Sequence, residues 1–483
     1  MKSLVMFLIV AVSMMAMAQP PDTMWTQVFG GNFRDWGYSV LQTADEGFIL
    51  VGQTQAGIAG QIDVWLIKTD YRGNLEWDRT FGGTDNEVGV CIQRTNDGGY
   101  IIAGEFSSPA SLSDVLLIKT RSDGEEEWTR TFGGTNFDGG SYVQQTTDGG
   151  YIIVGRTNSY GMGYDDVWLI KTDGNGFEQW GHTYGGTNSE SGRCVEQTPD
   201  GGYIITGYTY TFGAGQYDVW LIKTDSSGTE EWNRTYGGAN NDIGSAVRQT
   251  TDGGYIIAGE TSSIGEGDSD IWIIKTDSLG NRLWDHTYGR ILNDFACDIQ
   301  QTRDGGYILT GGLGHHNNNN VDVWIIKTDA EGDSLWSTVF GGEDNDWGYC
   351  IQQTNDEGYV VVGWTESYGT GDDVDVLLIR YEGETAVEPG ENKYYPSEFS
   401  LHPAYPNPFN PITNLTFDIP QASEVKFNIY DIQGRNVTEL YSGWCSTGIY
   451  HTTFNGFDLP SGIYFCQMSA GNYMQVRKLL LLK

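Results

Sequence analysis

Positive charge is scarce in this chain. Lys and Arg number 27 against 64 Asp and Glu, a formal net charge of −37 over 483 residues. So acidic a surface repels phosphate, which argues against nucleic acid and anionic membrane as partners. Histidine and cysteine are scarce too, at six each, and no Cys-x-x-Cys pair occurs. A zinc site of the usual spacing is therefore not expected. Neither a Gly-x-Ser-x-Gly elbow nor a phosphate-binding loop is present. Long apolar runs are missing after residue 18, and nothing there approaches the ~20 residues needed to cross a bilayer. Residues 1–18 are the exception. Lys2, the apolar stretch Leu4 to Met17 and the small-residue pattern Ala16-Met17-Ala18 before Gln19 predict a secretory signal peptide.

What is abundant is repetition. Asp63, Asp114, Asp166, Asp218, Asp270, Asp322 and Asp375 each open a stretch like Asp218-Val219-Trp220-Leu221-Ile222-Lys223-Thr224, at spacings of 51, 52, 52, 52, 52 and 53 residues. A constant period of that size marks a repeat array. In the fifth unit, Ser245–Thr250 reads as strand a, Tyr255–Gly259 as b, Asp270–Thr276 as c and Leu283–Tyr288 as d. Asp252-Gly253 supplies the hairpin turn between a and b. Strands b and c are continuous apolar runs, so both faces are expected to be buried. A four-stranded sheet covered on both sides and repeated about an axis is a propeller blade. Seven a, b and c strands occur, but only six d strands follow a c strand. The seventh d strand is expected to be Trp25–Phe29, closing the ring from the N-terminus. The fold class is thus all-β: a seven-bladed β-propeller over residues 24–381, a linker over 382–399, and a small immunoglobulin-like β-sandwich over 400–483.

Lys-Thr-Asp-x-x-Gly-x-x-x-Trp, as in Lys223 to Trp232, resembles the tryptophan-docking motif of quinoprotein dehydrogenase propellers, and the Gly-Gly-Tyr and Trp placing distantly resembles kelch blades. The resemblance implies the blade fold. Seven repeats without adjacent cysteines depart from the quinoprotein pattern, which puts its redox chemistry in doubt.

The last 85 or so residues break the repeat. Tyr405-Pro406-Asn407-Pro408-Phe409-Asn410-Pro411 fits neither helix nor central strand. That block, Tyr430 to Arg435 with Gly434 and Arg435, Leu459 to Tyr464 with Gly462 and Tyr464, and Arg477-Lys478-Leu479-Leu480 strongly resemble the C-terminal sorting domain of type IX secretion substrates. The resemblance implies Sec export, recognition by the type IX machinery, and either release or attachment to surface lipopolysaccharide. Cys445 and Cys466 are no part of that pattern. In an exported domain they are candidates for a disulfide.

Candidate site residues fall on the face that carries the b–c loops and d–a connections. Asp35, Glu87, Asp138, Glu190, Asp242, Asp294 and Asp346 recur just before the innermost strands and are expected to ring the channel mouth. Turn capping is one reading; a shared cation such as Ca²⁺ is another. No other cofactor is expected. Aromatics break the symmetry: Trp36 in the first repeat, Trp347 and Trp364 in the seventh, Tyr210 and Phe212 in the fourth. Cys91, Cys194 and Cys350 share one repeat column and read as small buried residues. Together these point to an exported binding or adhesion protein for extracellular glycan or protein. An enzyme acting on extracellular polysaccharide and a purely structural surface protein are the alternatives, and a unique acid pair in the channel would favour the enzyme.

Overall fold

A computed structural model describes residues 20–55, 61–108, 111–289, 292–315, 320–369 and 374–383, and most of 399–483. Within that last span, residues 403, 405, 406, 410, 411, 421, 422, 446, 447, 458 and 472 are not described. The signal segment 1–18 and most of the linker therefore lie outside the described residues. The chain divides into two compact units, residues 1–384 and 385–483.

Seven antiparallel four-stranded sheets make up the first unit. Six run a-b-c-d in chain order. The seventh joins Asp346–Gln353, Tyr359–Thr365 and Asp375–Tyr381 to the N-terminal strand Thr23–Phe29, which takes the outer place. Thr26 pairs with Ile379 and Phe29 with Val376 across that junction. The propeller's first and last strands thus share one blade, the arrangement that keeps a ring from opening.

The b and c strands carry the core. Ile204, Ile205, Leu221 and Ile222 of the fourth blade are 0–1% exposed, and their equivalents in other blades match. Each such side chain contributes about 1.5–3 kcal/mol on burial. Aromatic contacts fix how neighbouring blades meet. The d-strand Trp of one blade lies over the c–d turn glycine of the next: Trp77 over Gly124, Trp128 over Gly176, Trp180 over Gly228. A Cβ at Gly124 would sit 2.4 Å from the Trp77 ring, and the turn holds that glycine at φ +80°. Both facts demand glycine there. The same Trp then meets the first aromatic of the neighbouring b strand edge-on, as Trp180 does Tyr203 at 6.0 Å.

The Lys of each Asp-Val-Trp-Leu-Ile-Lys-Thr strand is buried at the turn face and clamps the Asp-Gly turn. Lys223 lies 3.0 Å from Asp200 and donates to the Thr224 carbonyl at 2.8 Å. Arg380 does the same for Asp356 in the seventh blade.

The second unit packs a three-stranded sheet and a four-stranded sheet. Strand Ser423–Asp431 lies between Asn436–Cys445 and Gly462–Ala470, with Tyr473–Leu481 at the edge. Phe417, Phe427, Phe454, Cys466 and Leu479 fill the interior. This layout corrects the disulfide expectation. Cys445 pairs with Ser423 and Cys466 with Ile429, six residues further along the same strand. At ~3.3 Å per residue that separation far exceeds the reach of a disulfide. Cys466 is a free, fully buried thiol.

Candidate functional site

Every innermost strand carries a β-bulge at the same place, between Gly37 and Ser39 in the first blade and Gly192 and Cys194 in the fourth. A bulge leaves one residue unpaired and re-aims it. Those residues are Tyr38, Val90, Ser141, Arg193, Ser245, Cys297 and Tyr349, and all of them line the central cavity of about 670 Å³. The backbone there is seven-fold repetitive; the side chains are not.

On one side the lining residues Tyr38 and Tyr349 adjoin an aromatic stack. Trp347 stacks on Phe295 at 4.0 Å and on Trp364 at 5.8 Å, and lies 6.0 Å from Tyr349. Tyr349 meets Tyr38 edge-on at 5.0 Å. The other side is charged. Glu105 lies 3.9 Å from Arg156. Arg193 sits over the Tyr208 ring at 5.6 Å, and Tyr208 meets Tyr217, which also meets Tyr210. Burial raises the Glu260 carboxyl above its ordinary value, opposed by the Ser269 hydroxyl and by Arg193.

Deeper in the cavity Arg248 forms a floor. It donates to Asp298 at 2.8 Å, to the Cys194 sulfur at 3.0 Å and to the Val247 carbonyl at 2.8 Å, and lies 5.6 Å from the centre of the Tyr142 ring. Gln93 reaches the Tyr142 hydroxyl, and Ile351 N–H donates to Asp298. Blades two to seven are tied together through this cluster.

Cys91, Cys194 and Cys350 each donate to a carbonyl of the following blade, Val143, Val247 and Val40. Burial pushes the Cys91 and Cys297 thiols up to about 12. Such thiols stay protonated and make poor nucleophiles.

The seven repeated acids do not ring the mouth. Asp35, Glu87, Asp138, Glu190, Asp242, Asp294 and Asp346 are 0–9% exposed and lie in the seams between blades. Backbone N–H groups and hydroxyls of the flanking loops draw them there. Asp242 accepts from Gly238 N–H at 2.8 Å and from Ser263 Oγ at 2.7 Å, as well as from Thr261 Oγ1. Among the described residues no group of three or more His, Cys, Asp or Glu converges on a point where a metal could sit.

Of the five named aromatics, the structure brings Trp347 and Trp364 into one stack. Trp36 pairs with Gln53 across the first blade. Tyr210 is 44% exposed at the rim beside Tyr217. Phe212, 43% exposed, belongs to a repeated structural position. It packs on Trp220 at 5.4 Å as Tyr160 packs on Trp168 at 5.2 Å. Missed from sequence were Glu105, Arg156, Arg193, Arg248, Glu260 and Asp298. The signal was there: Arg248 and Glu196 stand in a column where Gln93, Gln144, Gln300 and Gln352 repeat.

In the second unit, Asn407 accepts from Leu480 N–H at 2.9 Å and donates to the Lys478 carbonyl at 2.8 Å, which sets Phe409 in the core beside the last strand. Gly434 takes φ +76° in a turn where Asp431 holds Arg435 at 2.7 Å. Tyr464 donates to the Pro460 carbonyl at 2.8 Å, Gly462 opens the same strand, and the Lys478 side chain is exposed. Tyr405 and Pro406 lie outside the described residues; Pro408 is exposed. Residues 403–482 match the secretion system C-terminal sorting domain family.

The C-terminal unit is a secretion-system sorting domain. It marks the chain for secretion or surface display through the type IX system. The rest of the chain is a repeat propeller. The chain is 27% identical over 196 residues to the regulatory protein FlaEY of Caulobacter vibrioides, a match that spans 35% of this chain and a fifth of that protein. Solved structures similar in fold include Sqt1 from Chaetomium thermophilum, at TM-score 0.44 and 11% identity over 75% of this chain and 99% of that one. The propeller domain of the Trilobed protease from Pyrococcus furiosus follows at 0.42 and 10% over 77% and 100%. An alpha-L-arabinanase from Penicillium chrysogenum aligns at 0.39 and 10% over 74% and 98%. At these levels none of them bears on what this chain binds.

Proposed function

We propose that the exported propeller is a binding protein that takes an extracellular glycan, or a protein segment, into its central cavity from the b–c and d–a loop face. The observation that carries this reading is the uneven lining of a symmetric cavity. Repeat symmetry needs no Trp stack, Arg or Glu there, yet Glu105 and Arg193 line the cavity, Arg156 lies beside Glu105, and the stack of Phe295, Trp347 and Trp364 adjoins the lining residue Tyr349. A flat aromatic face with charged donors and acceptors opposite suits a sugar ring, which has both an apolar face and hydroxyls. The test is a panel of soluble extracellular polysaccharides and proteins offered to the mature chain. Ala at Trp347 or Trp364 should weaken any hit about tenfold or more. A hit that both variants bind as well as the parent would refute the site.

A second reading has its own observation. Glu105 and Glu260 stand at equivalent places in the second and fifth blades, in a column that holds Gln53, Arg156, Tyr208, Gly312 and Trp364 elsewhere, and burial raises Glu260. A raised carboxyl suits a general acid. Release of reducing ends from a bound polysaccharide, lost in Glu260→Gln, would favour a glycan-cleaving enzyme over a binding protein.

A further inference from the structure

Each seam between blades holds two carboxyl groups where one would serve. The c-strand Asp of one blade and the repeated acid of the next meet at a single glycine. A Cβ built on Gly185 would lie 1.7 Å from Asp166 Oδ1 and 2.7 Å from Glu190 Oε2. At Gly82 the oxygens belong to Asp63 and Glu87, at Gly133 to Asp114 and Asp138, and at Gly237 to Asp218 and Asp242. The two carboxyl groups of these seams are near neighbours, and all but the half-buried Asp114 are 0–9% exposed.

Most of their oxygens have donors. At the third seam Asp166 Oδ2 accepts from Met162 N–H at 2.6 Å. Glu190 Oε1 accepts from Thr209 Oγ1 at 3.1 Å and Thr211 N–H at 2.9 Å, and Oε2 accepts from Gly186 N–H at 2.9 Å. One oxygen is left over. Asp166 Oδ1 is buried with no donor, and the same atom is orphaned in Asp63, Asp114 and Asp322. Asp63, Asp166 and Asp322 are 1–9% exposed, and bulk solvent does not reach those atoms. The charges acting on Asp166 are those of Glu190 and Asp165, both negative. The sixth seam differs, with His315 Nε2 2.8 Å from Asp322.

We propose that these seams bind protons: one proton is shared between the two carboxyl groups of a seam, supplying the missing donor, so that mildly acidic conditions clamp the blades and alkaline conditions loosen the loop face. Two buried like charges cannot both ionise cheaply, and an O–H···O⁻ bond between them satisfies the orphan. A hard cation fits less well, because the available oxygens already accept N–H groups and Ca²⁺ seeks six to eight oxygen ligands. The direction of the titration agrees. Burial, with the neighbouring carboxyl adding to it, raises Asp166 to about 6, and burial with Asp375 raises Asp35 to about 6. A carboxyl raised in the folded state holds a proton that the unfolded chain gives up. Its stabilisation is complete below the unfolded carboxylate value and is lost as pH rises through about 6.

The mature chain tests this by melting at pH 5 and pH 8, and by counting protons released on unfolding at pH 5.5. The proposal expects a higher melting temperature at pH 5 and net proton release. Asp166→Asn places a permanent donor in the third seam. It should raise the melting temperature at pH 8 and narrow the gap between the two pH values, and Glu190→Gln should act likewise. Proton uptake on unfolding, or a melting temperature that climbs from pH 5 to pH 8, would overturn the proposal. So would 1 mM Ca²⁺ stabilising the parent at pH 8 but not Asp166→Asn, because a cation would then be the bridging species. The proton count needs no variant, so a misfolded substitution leaves the proposal open to refutation.

Discussion

Removing Asp298 should cost the propeller more than almost any other single polar change. Its carboxylate accepts from Arg248 at 2.8 Å and from Ile351 N–H at 3.2 Å, and the two side chains of the pair are only 8% and 17% exposed. Asp298→Ala leaves the Arg248 guanidinium in the channel floor with Tyr142, Cys194 and the Val247 carbonyl, and with Glu196, to which it has no direct hydrogen bond, as its remaining counter-charge. Breaking one side of a buried ion pair costs about 3–5 kcal/mol. The repeat supplies its own repair. The Arg248 position is Gln in four other blades, and the Asp298 position is Ser39 in the first. Arg248→Gln combined with Asp298→Ser should therefore recover most of the loss, since replacing both partners removes the stranded charge. The assay is denaturant unfolding of the mature chain followed by tryptophan fluorescence. A double variant that loses as much as the two single changes summed would refute the reasoning, as would an Asp298→Ala chain as stable as the parent.

Other outcomes follow from the same contacts. Deleting residues 24–31 should lower the melting temperature far more than deleting 19–22, because the first removes the outer strand of the seventh blade. Gly228→Ala should destabilise, since its Cβ would lie 2.5 Å from the His182 ring at φ +81°; circular dichroism melting checks it. Glu46→Gly and Glu357→Gly should each stabilise by about 0.5–1 kcal/mol, measured by denaturant midpoints. Both residues hold positive φ, 67° and 65°, where the other five blades carry glycine. In strong acid the Lys clamps give way. Hydrogen bonds from Thr198 and Gly202 and the pairing with Lys223 hold Asp200 down to about 2, although burial opposes them. That stabilisation is present above the unfolded carboxylate value and is lost as pH falls through about 2. Lys223→Met should flatten the acid limb of a melting-temperature profile.

Blade number and strand order were legible because each blade repeats its full set of signals. Asp-Gly turns, apolar b and c strands and the Trp–Gly docking pair recur every 52 or so residues, so error in one unit is corrected by the next. Side-chain destinations were less legible. Asp35 and its six equivalents precede the innermost strand, and position alone put them at the channel; the loop N–H groups that draw them into the seams are visible only in three dimensions. The cavity residues were hidden for a related reason. Arg193, Cys297 and Tyr349 reach the channel through a bulge, and a one-residue bulge does not show in an alternating pattern. Phe212 occupies the same place as Tyr160, an equivalence that the packing of each ring on its own blade's c-strand Trp makes plain. In the second unit the pairing of Cys445 with Ser423 and of Cys466 with Ile429 is a matter of register, which the spacing of the two residues does not reveal.

The central claim is that a ligand enters the cavity from the loop face and rests on the Trp347–Trp364 stack. The most direct measurement is a crystal structure of the mature chain with the tightest-binding oligosaccharide or peptide from the panel. The account predicts density between that stack and the Arg193–Tyr208 side. Density on the Asp-Gly turn face, beside Asp148 or Asp252, would contradict it.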